Sequence, residues 1–131
     1  MKLNHDCIRK TLLYFEETLD CYGTLELSNF SLDGFSEEDT LYSIKKLTDA
    51  GFISARILDD VTGDILITVT EITWEGHKFL DTIRDNQVWK ETKNILSKVS
   101  SCSISFVSTI ASQVLTNLIT QYIGIPKQQE I

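Results

Sequence analysis

The chain has 131 residues, with 12 lysines plus arginines against 19 aspartates plus glutamates and a formal net charge of -7. Hydrophobic residues make up 42% of it, which is ordinary for a single domain that buries one core. These values exclude a disordered chain, a disulfide-stapled secreted module, and collagen-like or repeat architectures.

Three cysteines, Cys7, Cys21 and Cys102, are widely spaced and form no Cys-x-x-Cys pair. Because the chain also starts without a recognisable signal segment, we expect a cytoplasmic protein with reduced thiols. Each cysteine is expected to pack as a small core hydrophobe. The neighbours His5 and Asp6 do not complete a metal shell, so no metal or cofactor is expected.

The first elements are predicted from apolar periodicity. Between Asn4 and Leu19 apolar residues recur at helical spacing, and Asn4 is a suitable N-cap. Leucines alternate with polar residues over 23–32, which predicts a short strand followed by a loop. A second helix is predicted over about 37–50. Its N-cap is Ser36, and Gly51 supplies the left-handed residue that ends it.

A β-hairpin with a polar tip at 59–64 is predicted next, because apolar residues alternate with period two on both sides of that tip. Thr73 caps a third helix that ends near 84–86. The side chains expected to point inward from this helix are Trp74, Phe79, Leu80 and Ile83.

Helix, short strand, helix, hairpin and helix is the order of a winged-helix domain, here predicted over 1–85 in an α+β fold. The helix before the hairpin occupies the recognition position. A short strand and loop stand where the usual domain has a full helix, so the helix-turn-helix unit is expected to be degenerate.

The remainder is predicted as a helical extension over 86–124 and a flexible tail over 125–131. One long amphipathic helix is expected from about Asn86 to Ile123. No charged residue occurs between Val99 and Pro126, but serines, threonines and amides interrupt the apolar run and disfavour a membrane span. The apolar face can pack on its own domain, on a second copy or on a membrane. Self-association in a homodimer is expected through Ile104, Val107, Ala111, Val114 and Leu118.

No residue pattern points to catalysis. The chain lacks a phosphate-binding glycine loop, a Gly-x-Ser-x-Gly elbow and a His-Glu-x-x-His motif. Its only histidines are His5 and His77, and His77 is expected to be a partly buried helix residue. We therefore expect a protein that is not an enzyme.

Charge disfavours a conventional winged-helix grip on DNA. No lysine or arginine lies between Lys10 and Lys45 or between Arg56 and Lys78. Both the recognition-position helix and the hairpin tip would therefore present carboxylates to phosphate. The acidic residues, a candidate protein-binding surface, are Glu37, Glu38, Asp39, Asp59, Asp60 and Asp64. The alternative, DNA contact through a non-standard face, would use Lys45, Lys46, Arg56, Lys90, Lys93 and Lys98.

Four segments carry a family resemblance: MKLNHDCIRKTLLYFEE, SEEDTLYSIKKLTDAGFI, TWEGHKFLDTIRDNQVWKETKNILSKV and ASQVLTNLI. They resemble an uncharacterised family of small winged-helix-like proteins from phages and prophages of Gram-positive bacteria. The resemblance implies a mobile-element origin and a location in the bacterial cytoplasm. It supplies no catalytic or binding residues. Within its most specific segment, Trp74 and Trp89 are expected to be packing residues and Gly76 a point of close approach.

Two functions remain open from the sequence. The leading hypothesis is an accessory protein that binds an unidentified protein partner and modulates or inhibits a host, phage or defence-system protein. The competing hypothesis is a dimeric winged-helix transcriptional regulator that binds DNA.

Overall fold

The structure is a computed structural model and describes residues 1–99 and 103–123. Over these residues the chain forms five helices and three strands, so the expected α+β class is confirmed in this general form. The elements are α1 (His5–Thr18), β1 (Leu25–Ser28), α2 (Glu37–Asp49), β2 (Ile53–Asp59), β3 (Ile65–Ile72), α3 (Trp74–Ile83), α4 (Asn86–Leu96) and α5 (Ile104–Tyr122).

The ends of α1 and α2 lie at the residues predicted to cap them. Asn4 caps α1 by accepting a hydrogen bond from the amide of Cys7, and the Ser36 side chain accepts one from the amide of Asp39 at the start of α2. Gly51, with φ +77°, follows the end of α2, and the amide of the next residue, Phe52, donates to the Leu47 carbonyl. These contacts satisfy polar groups that a helix end leaves free.

The three strands form an antiparallel sheet in the order β1-β3-β2. Its inner face carries Ile67, Val69 and Ile53, all buried, and α1 and α2 pack on β3 and β2 respectively. Because strand residues alternate between faces, the residues between these point to the other side. The predicted hairpin is confirmed.

The chain divides into two compact units, Met1–Leu80 and a second beginning at Asp81, so the division falls inside α3. The boundary predicted from the sequence, after residue 85, lies beyond the end of that helix instead. The core of the first unit includes Ile8, Leu12, Phe15, Ile44 and Leu47.

The C-terminal segment differs from the single long helix that was expected. It contains two helices, α4 and α5, which pack against each other. Ser97 caps the end of α4, and Ser103 begins α5 by accepting a hydrogen bond from the amide of Phe106 at 3.3 Å. Serine competes for backbone hydrogen bonds and favours helix ends over interiors, which explains the interruption in this serine-rich stretch.

Of the two tryptophans, one is buried as expected and the other is not. Trp89 is buried, as expected, whereas Trp74 is 75% exposed and the prediction that it points inward is wrong. The buried residues of α3 are Gly76, Phe79, Leu80 and Ile83. At about 100° per residue, Trp74 lies about 180° around the helix from Ile83 and about 120° from Leu80.

Candidate protein-interaction surface

The outer face of the sheet carries two exposed leucines at its hairpin end. Leu58 on β2 lies directly opposite Leu66 on β3, and they are 54% and 41% exposed. Ser28 on β1 completes this row across the three strands. Because directly opposed side chains on one sheet face are neighbours, the two leucines form a continuous apolar patch.

The turn beside this patch is held by its own carboxylates. Both oxygens of Asp60 accept hydrogen bonds, from the amide of Val61 at 2.7 Å and from the hydroxyl of Thr62 at 2.8 Å. The Asp60 amide donates to the Asp64 carbonyl at 2.7 Å. Gly63 adopts φ +88°, a conformation that glycine takes without strain. The tip therefore has a defined shape.

Asn29 ties this turn to the end of β1. Its side-chain amide donates to Asp64 at 3.0 Å, and its side-chain oxygen accepts from the amide of Ile65 at 2.9 Å. Asn29 has φ 48°, a left-handed conformation that asparagine tolerates better than most residues. Asn29, directly after β1, thus fixes the position of the hairpin tip.

We call the resulting patch the hairpin-tip surface. It combines apolar side chains with three exposed carboxylates, and Val61 at its end is fully exposed. Its members are Leu58, Asp59, Asp60, Val61, Asp64 and Leu66. The carboxylates were predicted from the sequence, whereas the apolar residues were not, although Leu58 and Leu66 occupy the positions that alternate with the buried residues of their strands.

The other acidic residues lie at the start of α2. Glu37, Glu38 and Asp39 form its first turn, where negative charge stabilises the helix dipole. The hairpin-tip carboxylate of Asp60 instead accepts hydrogen bonds within its own turn, so the two acidic groups have separate local roles.

The candidate DNA-contacting residues are distributed over both units. Lys46 pairs with Asp49 at 3.3 Å, and its ammonium lies 5.2 Å from the centre of the Tyr42 ring. Lys45 is exposed on α2 and Arg56 on the outer face of the sheet. Lys90, Lys93 and Lys98 are exposed in the second unit.

A groove of about 280 Å³ lies where α1, β3 and α3 meet. His77 lines it and is exposed, so the expectation of partial burial is wrong. Cys21 also lines it and is exposed rather than packed in the core, whereas Cys7 is buried as expected and Cys102 lies outside the described residues. Over residues 1–99 and 103–123 no three His, Cys, Asp or Glu side chains converge as a metal-binding group.

The apolar residues proposed for self-association lie on α5. Ile104, Val107, Ala111 and Val114 are at most 7% exposed within a single chain, and Leu118 is half-buried. The first four are therefore unavailable to a second copy in this conformation, which corrects the expected use of this stripe. In the described part of the chain, no helix has the length and apolar character needed to cross a membrane.

The fold and this surface define a small α+β protein with a mixed acidic and apolar hairpin tip. The chain belongs to the family described as "Hypothetical protein (DUF2513)", whose model matches residues 2–103. It is also 32% identical over 120 residues to an uncharacterised protein of Haemophilus influenzae, an alignment covering 91% of this chain and 99% of that relative. The resemblance to an uncharacterised family is thereby confirmed. No solved structure matches the chain.

Proposed function

We propose that this protein is a non-enzymatic accessory protein of a phage or prophage that acts by binding another protein through the hairpin-tip surface. The exposed Leu58–Leu66 pair carries the proposal, because two adjacent leucines on a rigid strand pair favour burial against a partner. The phage origin rests on the sequence resemblance alone.

The partner's chemistry follows from this surface. Burying the exposed part of each leucine contributes on the order of 1 kcal/mol. The carboxylates of Asp59, Asp60 and Asp64 lie in and beside the turn next to the leucines, where they attract a basic rim and repel nucleic acid. A protein with an apolar contact point bordered by lysine or arginine fits this arrangement. Modulation or inhibition of a host, phage or defence-system protein is the role that such binding would serve.

The proposal is tested by affinity capture from host lysate with matched variants. The double variant Leu58→Ser and Leu66→Thr removes the patch while it keeps strand-compatible residues. Ile95→Ser is the control, since Ile95 on α4 has the same 41% exposure as Leu66. We expect one partner to be retained by the intact protein and by the control and lost with the double variant. Equal retention by all three contradicts the proposal.

A second candidate, a dimeric winged-helix regulator in the bacterial cytoplasm, is supported by topology. The sheet order β1-β3-β2 and the placement of α2 directly before the hairpin are those expected of a winged helix. Its basic residues would be Lys45, Lys46, Arg56 and the lysines of α4 and its C-terminal end.

Electrophoretic mobility shifts on the DNA upstream of the gene test this candidate at about 50 and 200 mM salt, because phosphate contacts make affinity fall steeply with salt. The regulator predicts a shift that weakens at the higher salt and is lost when Lys90, Lys93 and Lys98 are changed to Glu. No shift at the lower salt contradicts it.

A further inference from the structure

One face of α1 carries a regular four-residue stripe. Lys10, Leu13, Tyr14 and Glu17 are spaced i, i+3, i+4 and i+7, so they lie on the same side over two helical turns. We call them the α1 stripe. It forms one wall of a groove of about 510 Å³, and residues 30–33 form the other wall.

The centre of this groove is apolar and partly exposed to solvent. Leu13, Tyr14 and Phe30 are half-buried, and the rings of Tyr14 and Phe30 lie 5.1 Å apart between centroids. The segment at 30–33 is the loop that stands where a conventional winged helix has its second helix. This side of α1 is therefore less covered than its opposite side, where Ile8, Leu12 and Phe15 are buried.

The ends of the groove are charged. Lys10 lies at one end of the stripe and Glu17 at the other, and Asp33 on the loop lines the same groove. All three side chains are exposed. The structure records no ion pair for any of them within the part of the chain that it describes.

This arrangement is complementary to itself. A two-fold axis through the midpoint between Leu13 and Tyr14 places Lys10 of one copy opposite Glu17 of an antiparallel second copy, and the reverse. The same operation sets each Leu13 against the other copy's Tyr14. The charged residues are about 10 Å apart along the helix in both copies, so both pairs form together.

We propose that the protein forms a homodimer in which two α1 helices pack antiparallel across this groove. The occupant is a second copy rather than another protein, because the order of positive, apolar and negative residues is complementary to its own reverse, as an isologous interface requires. This inference does not depend on the hairpin-tip proposal, since the two surfaces share no residue.

Charge exchange on the full-length protein tests the dimer. Lys10→Glu places glutamate opposite glutamate twice in each dimer, and Glu17→Lys places lysine opposite lysine twice. Each single change is expected to raise the dissociation constant of the dimer by at least about tenfold at low salt. The double variant Lys10→Glu with Glu17→Lys reverses both ends, restores opposite charges in both pairs, and is expected to return most of the affinity.

Analytical ultracentrifugation measures these constants at a series of protein concentrations. Lys45→Glu and Glu91→Lys are matched controls, because each makes the same charge change at an exposed helical position elsewhere. Circular dichroism verifies that each variant folds. Leu13→Ser serves as a variant of the apolar centre that leaves the charges in place, and it is also expected to dissociate the dimer.

Three outcomes overturn the proposal. The first is an intact protein that remains monomeric at about 100 µM, a concentration at which even a weak micromolar dimer forms. The second is a dimer that the two single changes weaken no more than their controls. The third is a double variant that is no tighter than either single variant, since only a direct Lys10–Glu17 pairing across the axis predicts rescue.

Discussion

Gly76 shows how one residue positions an element of the fold. It lies in the first turn of α3, and its amide donates to the hydroxyl of Thr73, which in turn donates to the Gly51 carbonyl at 2.6 Å. A Cβ at this position would fall 2.8 Å from Ile72 Cγ2 and closer still to the Phe52 carbonyl oxygen. The close approach that the sequence suggested for this glycine is therefore present.

Gly76→Ala is expected to reduce the free energy of unfolding by about 1–3 kcal/mol, because the Phe52 backbone must move to admit a methyl group. Gly23→Ala is the control. There the nearest atom to an added Cβ is Asp20 Oδ1 at 3.6 Å, so we expect a change below about 0.5 kcal/mol. Urea denaturation measures both. Equal stability of the two variants would contradict the packing described for α3.

At the scale of elements, Thr40 joins α2 to the loop that follows β1. Its hydroxyl donates to the Ser36 carbonyl at 2.8 Å and accepts a hydrogen bond from the amide of Leu32 at 3.1 Å. Thr40 is fully buried and Leu32 nearly so. This contact holds one wall of the α1 groove in place.

Thr40→Val is expected to cost about 1–3 kcal/mol of stability, because it leaves the buried Leu32 amide without an acceptor while it changes the side-chain volume little. Thr48→Val provides the comparison. The Thr48 hydroxyl donates to the Ile44 carbonyl at 2.7 Å, and no amide in the described part of the chain donates to it. Its removal therefore leaves no amide without an acceptor there, and we expect a loss of stability below about 1 kcal/mol. Thermal unfolding distinguishes the two, and a larger loss for Thr48→Val would contradict this account.

The helix ends and the hairpin could be predicted from the sequence, because residues close by in the chain determine them. The caps Asn4 and Ser36, the terminator Gly51 and the hairpin were all predicted from short patterns that act over a few residues. The break between α4 and α5 was not predicted, because helical apolar periodicity over about 86–123 was given more weight than the serines between the two helices. The exposed positions of Leu58, Leu66 and Trp74 depend on which face of a strand or helix the rest of the fold covers, and residue type does not indicate this.

At the scale of the whole molecule, charge constrains the choice of partner. The chain carries a net charge of -7, and the hairpin tip has three exposed carboxylates with no lysine or arginine between Arg56 and Lys78. Because carboxylates repel phosphate, this distribution opposes DNA contact at the hairpin tip. The same carboxylates, beside exposed leucines, favour a basic and apolar protein surface.

The most direct test of the hairpin-tip proposal is photo-crosslinking in host cells with p-benzoylphenylalanine in place of Val61, the fully exposed residue of that surface. The same residue in place of Ile95 serves as the control position. We predict a discrete protein adduct from position 61 that is absent from position 95 and is lost when Leu58→Ser and Leu66→Thr are added. Adducts with DNA, or no adduct from position 61, would contradict the proposed protein-binding role.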